Sequence, residues 1–211
     1  MILHGYWRSG TSYRTRIALN LKGLTYEQRG VDLREGDQRS AAYLRLNPQG
    51  LVPSLEVDGT VLTQSPAILE WLEETYPTPP LLPTDPVARA QVRAMAALIG
   101  CDIHPLNNLR VGKALREDFG ADQAAVDAWA AHWIAPGFAA LESLVAEYGN
   151  GWCFGDAPTL ADCYLIPQLY SARRFNVDTT AWPSLTAIET HALAQPAFAA
   201  AHPDRQPDAD A

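Results

Sequence analysis

A run of hydroxyl and arginine side chains near the N-terminus has the composition of an anion-binding site. The segment reads Arg8-Ser9-Gly10-Thr11-Ser12-Tyr13-Arg14-Thr15-Arg16, and apolar residues at helical spacing follow within it. Ser and Thr at a helix start ordinarily accept hydrogen bonds from free backbone N–H groups. The same N–H groups, the helix dipole and nearby guanidinium groups also stabilise an anion. Because three hydroxyls are flanked by three arginines, an anion-binding site is an alternative interpretation of this segment beside a simple helix cap.

The residues on either side of this segment predict a β-α-β unit. Ile2–Tyr6 is rich in strand-forming residues, and Gly23 lies where a helix ends in a left-handed residue. Tyr26–Val31 is predicted to form a second strand, joined to the first by a right-handed crossover. The hydroxyl segment therefore lies between the first strand and the helix that follows it.

Turn and capping signals extend this unit into an α+β domain over residues 1–80. They predict a polar loop over 32–39, a short helix capped by Ser40, strands over 51–57 and 60–62 joined by Asp58-Gly59, and a helix with Ser65 as N-cap. Pro53 cannot donate to a sheet, so it should lie at a strand start or edge, which leaves the Val52 backbone open to an extended ligand. Gln64 and Ser65 lie at a second helix start, again suited to a carboxylate.

The second part of the chain is predicted to be an all-helical domain over residues 85–211. Four prolines within 77–83 predict a stiff linker before it. Asp85-Pro86 predicts the start of a long helix that is interrupted at Pro105, and Asp122 predicts the start of a helix kinked at Pro136. A capping box at Thr159-Leu160-Ala161-Asp162 predicts a further helix start, and Pro183 and Pro196 predict the starts of two shorter helices. Residues 202–211 lack periodicity and are predicted to be a frayed tail.

Composition limits the classes of function. The 211 residues carry a net charge of −8, which argues against nonspecific binding to nucleic acid or an anionic membrane. The sequence shows neither a secretory leader nor an apolar run of membrane-spanning length, so we expect a cytoplasmic protein. Cys101, Cys153 and Cys163 lack metal-ligand spacing and are expected to be buried or inert thiols. The histidines form no ligand grouping, so we expect no metal site.

Several motifs together resemble the zeta class of the cytosolic glutathione transferases, over essentially the whole chain. The first, over 9–19, is similar to the class signature S-x-x-x-[WY]-R-x-R-I-A-L. The others are Asn47-Pro48-Gln49-Gly50-Leu51-Val52-Pro53, Gln64-Ser65-Pro66-Ala67-Ile68, Asp102-Ile103-His104-Pro105-Leu106-Asn107-Asn108 and Pro158-Thr159-Leu160-Ala161-Asp162. The resemblance implies a thioredoxin-like N-terminal domain, an all-α C-terminal domain and a homodimer.

The resemblance also implies a glutathione-dependent cis–trans isomerase acting on maleylpyruvate or maleylacetoacetate in aromatic catabolism. Residues expected to contact glutathione are Ser9, Thr11, Gln38, Gln49, Val52, Pro53, Gln64, Ser65, Asp102, His104 and Asn108, with Asp102 reaching the partner's glutathione. Zeta members often carry Ser and Cys where this chain has Gly10 and Thr11, so an enzyme thiol is excluded at that point. Ser-Gly-Thr resembles the bacterial maleylpyruvate isomerases, which slightly favours maleylpyruvate.

The implied chemistry assigns roles to the hydroxyls and arginines. Ser9 and Thr11, with nearby N–H groups, are expected to lower the pKa of the glutathione thiol, which lies near about 8.5 for a free cysteine. Arginine grips a dicarboxylate better than lysine does, and the candidates are Arg8, Arg110 on the long helix, and Arg173 or Arg174, of which we choose Arg174. Helix-dipole complementarity alone would also place Arg173 and Arg174 at a helix end.

Other side chains in these motifs are expected to be structural. Arg14 and Arg16 are predicted partners of acids, Asp162 a helix cap, and the Trp129/Trp133 pair core or subunit contact.

Two other functions stay open at this point. A general conjugating transferase would have an apolar second pocket and would not need Arg8. A non-catalytic binding protein on the same fold would not bind glutathione, although the Gln64-Ser65 pair argues against it.

Overall fold

The computed structural model describes residues 1–209, which form two compact units. Among the described residues, the first comprises 1–80 and 193–209, and the second comprises 81–192. The boundary at residue 80 coincides with the predicted linker. The C-terminal segment belongs to the first unit, whereas the predicted division of 1–80 and 85–211 placed it with the helices. In the described part of the chain, no helix is long and apolar enough to cross a membrane.

The first unit is built on a four-stranded mixed sheet in the order β2-β1-β3-β4. β1 pairs parallel to β2 and antiparallel to β3, and β3 and β4 form an antiparallel hairpin. The strands are β1 Ile2–Gly5, β2 Glu27–Gly30, β3 Ser54–Val57 and β4 Thr60–Thr63, and the helices are α1 Gly10–Leu21, α2 Ala41–Leu46 and α3 Ser65–Thr75. The predicted β-α-β unit and α+β class are confirmed, and α1 buries Tyr13, Ile17 and Leu19.

Local sequence explains the turns that connect these elements. Gly23 has φ +66 just after α1, as predicted for a left-handed end. Asp58 and Gly59 both have positive φ, at +48 and +81, which is the geometry that a two-residue hairpin requires. β3 begins at Ser54, three residues later than predicted, because Pro53 has no N–H for the ladder.

The C-terminal segment is held against the first unit, contrary to the prediction of a frayed tail. α9, Pro196–Ala201, packs on α1, and Asn20 Nδ2 donates to Ala197 O over 2.9 Å. Gln206 is buried, and its Nε2 donates to the carbonyls of Ala200 and His202 over 2.9 and 2.7 Å. Of the predicted tail, 210–211 lie outside the described residues.

The second unit is helical, as predicted. Its helices are α4 Pro86–Ala97, α5 Leu109–Phe119, α6 Gln123–Tyr148, α7 Leu160–Arg174 and α8 Pro183–Leu193. α4 continues into a π-helical segment, Leu98–Ile103, and a 3₁₀ turn, His104–Leu106, so the chain is interrupted around Pro105 as predicted. Arg110 therefore lies in the first turn of the short helix α5, and its predicted place on the long helix is wrong.

Trp129 and Trp133 both lie outside the buried face of α6. The buried face carries Val126, Ala130, Ile134, Phe138, Leu141 and Val145. Trp129 is 36% exposed, and its Nε1 donates to Leu106 O over 2.7 Å. Trp129 thus contacts the turn before α5, and the predicted alternative of a subunit contact for the Trp129/Trp133 pair stays a prediction.

Candidate functional site

The start of α1 leaves backbone donors open. Ser9 is the N-cap, with its Oγ accepting from Ser12 N at 3.4 Å and its carbonyl accepting from Tyr13 N at 2.8 Å. Within residues 1–209, the N–H groups of Gly10 and Thr11 have no acceptor. The first turn contains no acidic residue. The positive end of the helix is therefore available to an anion.

Two hydroxyls at this helix start form an ordered chain that ends on the backbone of residue 52. Thr11 Oγ1 donates to Val52 O over 2.9 Å, which uses its single proton. Ser9 Oγ lies 2.9 Å from Thr11 Oγ1 and must then be the donor of that bond. The structure thus brings together Ser9, Thr11 and Val52.

The third hydroxyl has a different role. Ser12 is fully buried, and its Oγ accepts from Tyr6 N at 3.3 Å. A Cβ added at Gly5 would come within 2.9 Å of that oxygen, so glycine is needed for this approach. Ser12 fastens α1 to the end of β1, while Ser9 and Thr11 lie at the open end of the helix.

The three arginines of the first motif also differ in their burial and in their contacts. Arg8 is half-buried, its Cζ lies 5.2 Å from the centroid of the Trp7 ring, and no carboxylate among residues 1–209 pairs with it. Arg14 and Arg16 are buried at 2% and 0% exposure. Arg16 donates to Trp7 O and Ala201 O over 2.8 and 3.0 Å, so it is structural as predicted, with carbonyls as partners in these two bonds.

The segment before β3 presents open backbone beside the hydroxyls. Leu51 O accepts from Tyr43 Oη at 2.8 Å and Asn47 Nδ2 at 2.7 Å, and burial raises the pKa of Tyr43. The Val52–Pro53 peptide is cis, and Pro53 is buried. Within residues 1–209, Val52 N–H has no acceptor.

Three glutamines of the predicted site lie along this segment and the start of α3. Gln64, the N-cap of α3, has φ +66, and its Nε2 donates to Gln49 Oε1 over 2.5 Å. Positive φ in a residue other than glycine is uncommon and often marks a functional position. Gly50, with φ +63, lies against Gln38, because a Cβ there would be 2.9 Å from Gln38 O.

The start of α3 differs from the sequence prediction by one residue. α3 begins at Ser65, which is buried, and its N-cap is Gln64, so the predicted capping role of Ser65 is wrong by one residue. Gln64 makes no side-chain cap bond, because its amide binds Gln49 instead.

The remaining predicted residues lie in the second unit. Asp102 is exposed and His104 half-exposed in the interruption before α5. Asn108 caps α5: its Oδ1 accepts from Val111 N at 3.2 Å and its Nδ2 donates to Pro105 O over 2.8 Å. Both ends of this amide are thus engaged in capping, a role that the sequence prediction did not give it. Arg110 is exposed in the first turn of α5.

The two arginines at the end of α7 are not equivalent. The two terminal guanidinium nitrogens of Arg173, Nη1 and Nη2, pair with the buried carboxylate of Glu189, and these hydrogen bonds raise the pKa of Arg173. Arg174 is exposed in the last turn. Arg173 is thus held in an ion pair, and the choice of Arg174 as a ligand stays a prediction.

The three cysteines differ in burial. Cys153 and Cys163 are buried as predicted, and burial raises the pKa of Cys153 well above its ordinary value. Cys101 is exposed, so of the two predicted alternatives, burial or inertness, only inertness remains for it. In the described part of the chain, no group of His, Cys, Asp or Glu side chains is arranged to hold a metal ion.

One residue near the site had no signal in the sequence. Asp208 accepts from Trp7 N over 2.9 Å and from Gln28 Nε2 over 2.7 Å. Trp7 directly precedes Arg8, but 200 residues separate the two partners along the chain, and the tail around Asp208 has no periodicity that would place it.

Comparison with known proteins gives full-length matches. Family models for the N-terminal and C-terminal domains of glutathione S-transferases match residues 8–75 and 123–189. The chain is 54% identical over 210 residues to a maleylpyruvate isomerase of a Ralstonia species, covering 99% of each chain. It is also 54% identical over 214 residues to a maleylacetoacetate isomerase of Pseudomonas aeruginosa, covering 100% of each.

A solved structure agrees with the fold. It is the holo structure of a maleyl pyruvate isomerase, described as a bacterial zeta-class glutathione S-transferase. The two structures superpose with a TM-score of 0.98 at 53% identity, covering 100% of both chains.

Proposed function

Because the chain belongs to the zeta-class glutathione transferases of the maleylpyruvate and maleylacetoacetate isomerase family, we propose that it is a glutathione-dependent cis–trans isomerase of a maleyl keto acid. The observation that carries the proposal is the open start of α1, where hydroxyls, free N–H groups and Arg8 occur together without an acid in the first turn.

The described residues fit glutathione on their own chemistry. Extended peptides pair with open backbone groups, and the Val52 segment offers a free N–H beside the two hydroxyls. The bond between Gln49 and Gln64 and the open N-terminus of α3 supply polar groups for a carboxylate. A Methylobacterium extorquens relative, 42% identical with a TM-score of 0.95, was crystallised with malonate and glutathione. An Anaeromyxobacter dehalogenans relative was crystallised with dicarboxyethyl glutathione and citrate.

When bound, glutathione supplies a sulfur nucleophile whose reversible addition to the maleyl C=C leaves a single bond free to rotate before sulfur departs. The start of α1 lowers the pKa of the thiol through its dipole, the free N–H groups of Gly10 and Thr11, and a hydroxyl donor. Ser9 is the better donor, because its O–H can turn to a ligand while Thr11 keeps its bond to Val52 O.

Arg8 supplies the positive charge next to this site. Its planar guanidinium can hold one carboxylate of the substrate through two parallel hydrogen bonds and stabilise negative charge that develops on the neighbouring carbonyl. Packing on the Trp7 ring limits where the guanidinium can go. Arg110 and Arg174 remain proposed ligands for the remainder of the substrate.

A rate comparison tests the proposed activity. We expect both maleylpyruvate and maleylacetoacetate to isomerise only when glutathione is present, with the larger kcat/KM for maleylpyruvate. Activity on an electrophilic aryl halide, without turnover of either maleyl acid, would instead identify a conjugating transferase. A protein that binds no glutathione in calorimetry would be a non-catalytic relative.

The proposal includes a cytoplasmic homodimer. Three free thiols are typical of a reducing compartment, and the exposed Asp102 is available to a second subunit. Light scattering at micromolar protein should give twice the chain mass of 23.1 kDa. A monomeric mass would contradict the dimer without affecting the proposed chemistry.

A further inference from the structure

Both backbone polar groups of Trp7 are hydrogen-bonded, the N–H to the C-terminal segment and the C=O to a side chain of α1. Its N–H donates to Asp208 Oδ2 over 2.9 Å. Its C=O accepts from Arg16 Nη2 at 2.8 Å, and Arg16 Nε donates to Ala201 O over 3.0 Å. The residue before Arg8 is thus fixed from two sides, by Asp208 at its N–H and by Arg16 at its C=O.

The carboxylate of Asp208 is itself oriented by the sheet. Gln28 Nε2, on β2, donates to Asp208 Oδ1 over 2.7 Å, which leaves Oδ2 for the Trp7 N–H. A Cβ at Gly30 would lie 3.2 Å from Asp208 Cβ, so glycine at the end of β2 allows this close approach. Carboxylate acceptors make stronger and shorter hydrogen bonds than neutral ones.

The position of the Trp7 backbone sets the position of Arg8. The Trp7 ring is 8% exposed and lies 5.2 Å from Arg8 Cζ, so it forms the surface on which the guanidinium rests. Ser9 N donates to Tyr6 O over 3.0 Å, so residues 6–9 form one tight turn. A movement of Trp7 N–H therefore displaces the arginine that follows it.

We propose that Asp208 is a positioning residue for Arg8: through the Trp7 N–H it holds the guanidinium where a substrate carboxylate binds. This inference rests on the proposed role of Arg8. Asp208 itself touches no substrate and takes part in no proton transfer.

The test measures competitive inhibition by malonate, a dicarboxylate, at saturating glutathione. Asp208→Ala should raise the malonate Ki roughly tenfold, since a hydrogen bond to a charged acceptor is lost. Asp208→Asn keeps an oxygen for Trp7 N–H, and its effect should stay within about threefold, because a neutral acceptor makes the weaker bond. Gln28→Ala, which removes the other bond of the same carboxylate, is the matched control and should change Ki less than threefold.

A double-mutant cycle separates positioning from general loosening of the fold. In an Arg8→Ala background, Asp208→Ala should leave the malonate Ki unchanged within about twofold, because its effect acts through Arg8. An equal rise in Ki in both backgrounds, or a Ki unchanged by Asp208→Ala when Arg8→Ala raises it, would overturn the positioning role alone. If Arg8→Ala itself leaves Ki unchanged, the proposed diacid site is also overturned. Thermal unfolding of each variant establishes that the folded protein is being compared.

Discussion

Two helix starts in this molecule both have a hydroxyl residue at the N-cap, but only one of them is closed by a carboxylate. α7 begins at Thr159-Leu160-Ala161-Asp162, where Asp162 Oδ2 accepts from Thr159 N and Thr159 Oγ1 at 2.8 Å each. Its Oδ1 accepts from Cys153 N at 2.8 Å, and the residue is fully buried. α1 begins with hydroxyls and no acid, and its first N–H groups have no acceptor within residues 1–209.

The difference shows how a helix start becomes either a structural joint or a ligand site. At α7 the chain itself supplies the acceptors, with Asp162 accepting from the Thr159 N–H and Leu81 O from the Leu160 N–H, so no anion is needed there. At α1 the positive end of the dipole remains open, and Arg8 adds charge beside it. The two helix starts also differ in the pKa of the thiol beside them. Burial raises the pKa of Cys153 near α7, whereas the open start of α1 should lower the pKa of a bound thiol.

The largest effect is expected from removing the carboxylate of Asp162 at the start of α7. Asp162→Ala removes three hydrogen bonds and leaves buried N–H groups without acceptors, so the free energy of unfolding should fall by about 3 kcal/mol. Chemical denaturation measures this change. Thr159→Val, which removes one of the three donors, should lower it by about 1 kcal/mol. If Asp162→Ala were as stable as the wild type, the closed start would have no structural role.

Removing the proposed sulfur donor should reduce the rate and spare the fold. Ser9→Ala should lower kcat/KM for maleylpyruvate about 10²-fold, as losing one donor to a developing anion does. The free energy of unfolding should fall by only about 1 kcal/mol for the lost cap. Ser12→Ala is the matched control, because this hydroxyl bonds to Tyr6 N and should affect stability more than rate. Equal rate losses for both variants would remove the distinction between the two hydroxyls.

A smaller change tests whether substrate binding needs the bidentate guanidinium of Arg8 or only its positive charge. Arg8→Lys keeps the charge and loses bidentate geometry, so the KM for maleylpyruvate should rise about tenfold. The KM for glutathione should change little. Arg45→Lys on α2 provides a control with the same chemical change at an exposed position. An unaltered maleylpyruvate KM in Arg8→Lys would mean that charge alone suffices.

The smallest expected effect concerns the protein's own thiols. Iodoacetamide at neutral pH should label the exposed Cys101, whereas burial and the raised pKa should protect Cys153. The pKa direction means that Cys153 stays protonated through the neutral range and up to high pH. Mass spectrometry should find one label per chain with isomerase activity retained. Labelling of Cys153 in the folded protein would show that the closed start opens readily.

Local signals in the sequence predicted most of the first unit. Ser40, Asp58-Gly59 and Gly23 act within a few residues of themselves, so their turns and caps could be inferred without tertiary information. The prediction placed β3 too early, because Leu51 O is taken by Tyr43 and Asn47 side chains and not by a strand. That competition depends on contacts that no periodicity reveals.

For the candidate site, the sequence predicted which residues to consider but not the contacts between them. Motifs located Ser9, Thr11 and Val52, but only coordinates show the direction of the hydroxyl chain that links them. The bond between Gln49 and Gln64 depends on a positive φ that glutamine rarely adopts. Asp208 could not be found, because its bond to Trp7 N joins residues from opposite ends of the chain.

The most direct test is a titration of the glutathione thiol in the binary complex, followed by the ultraviolet absorbance of the thiolate. An open helix start with a hydroxyl donor should lower the thiol pKa at least one unit below the value of about 8.5 for a free thiol, and Ser9→Ala should restore much of the difference. A bound thiol that titrates at the same pH as free glutathione would contradict the account of this site.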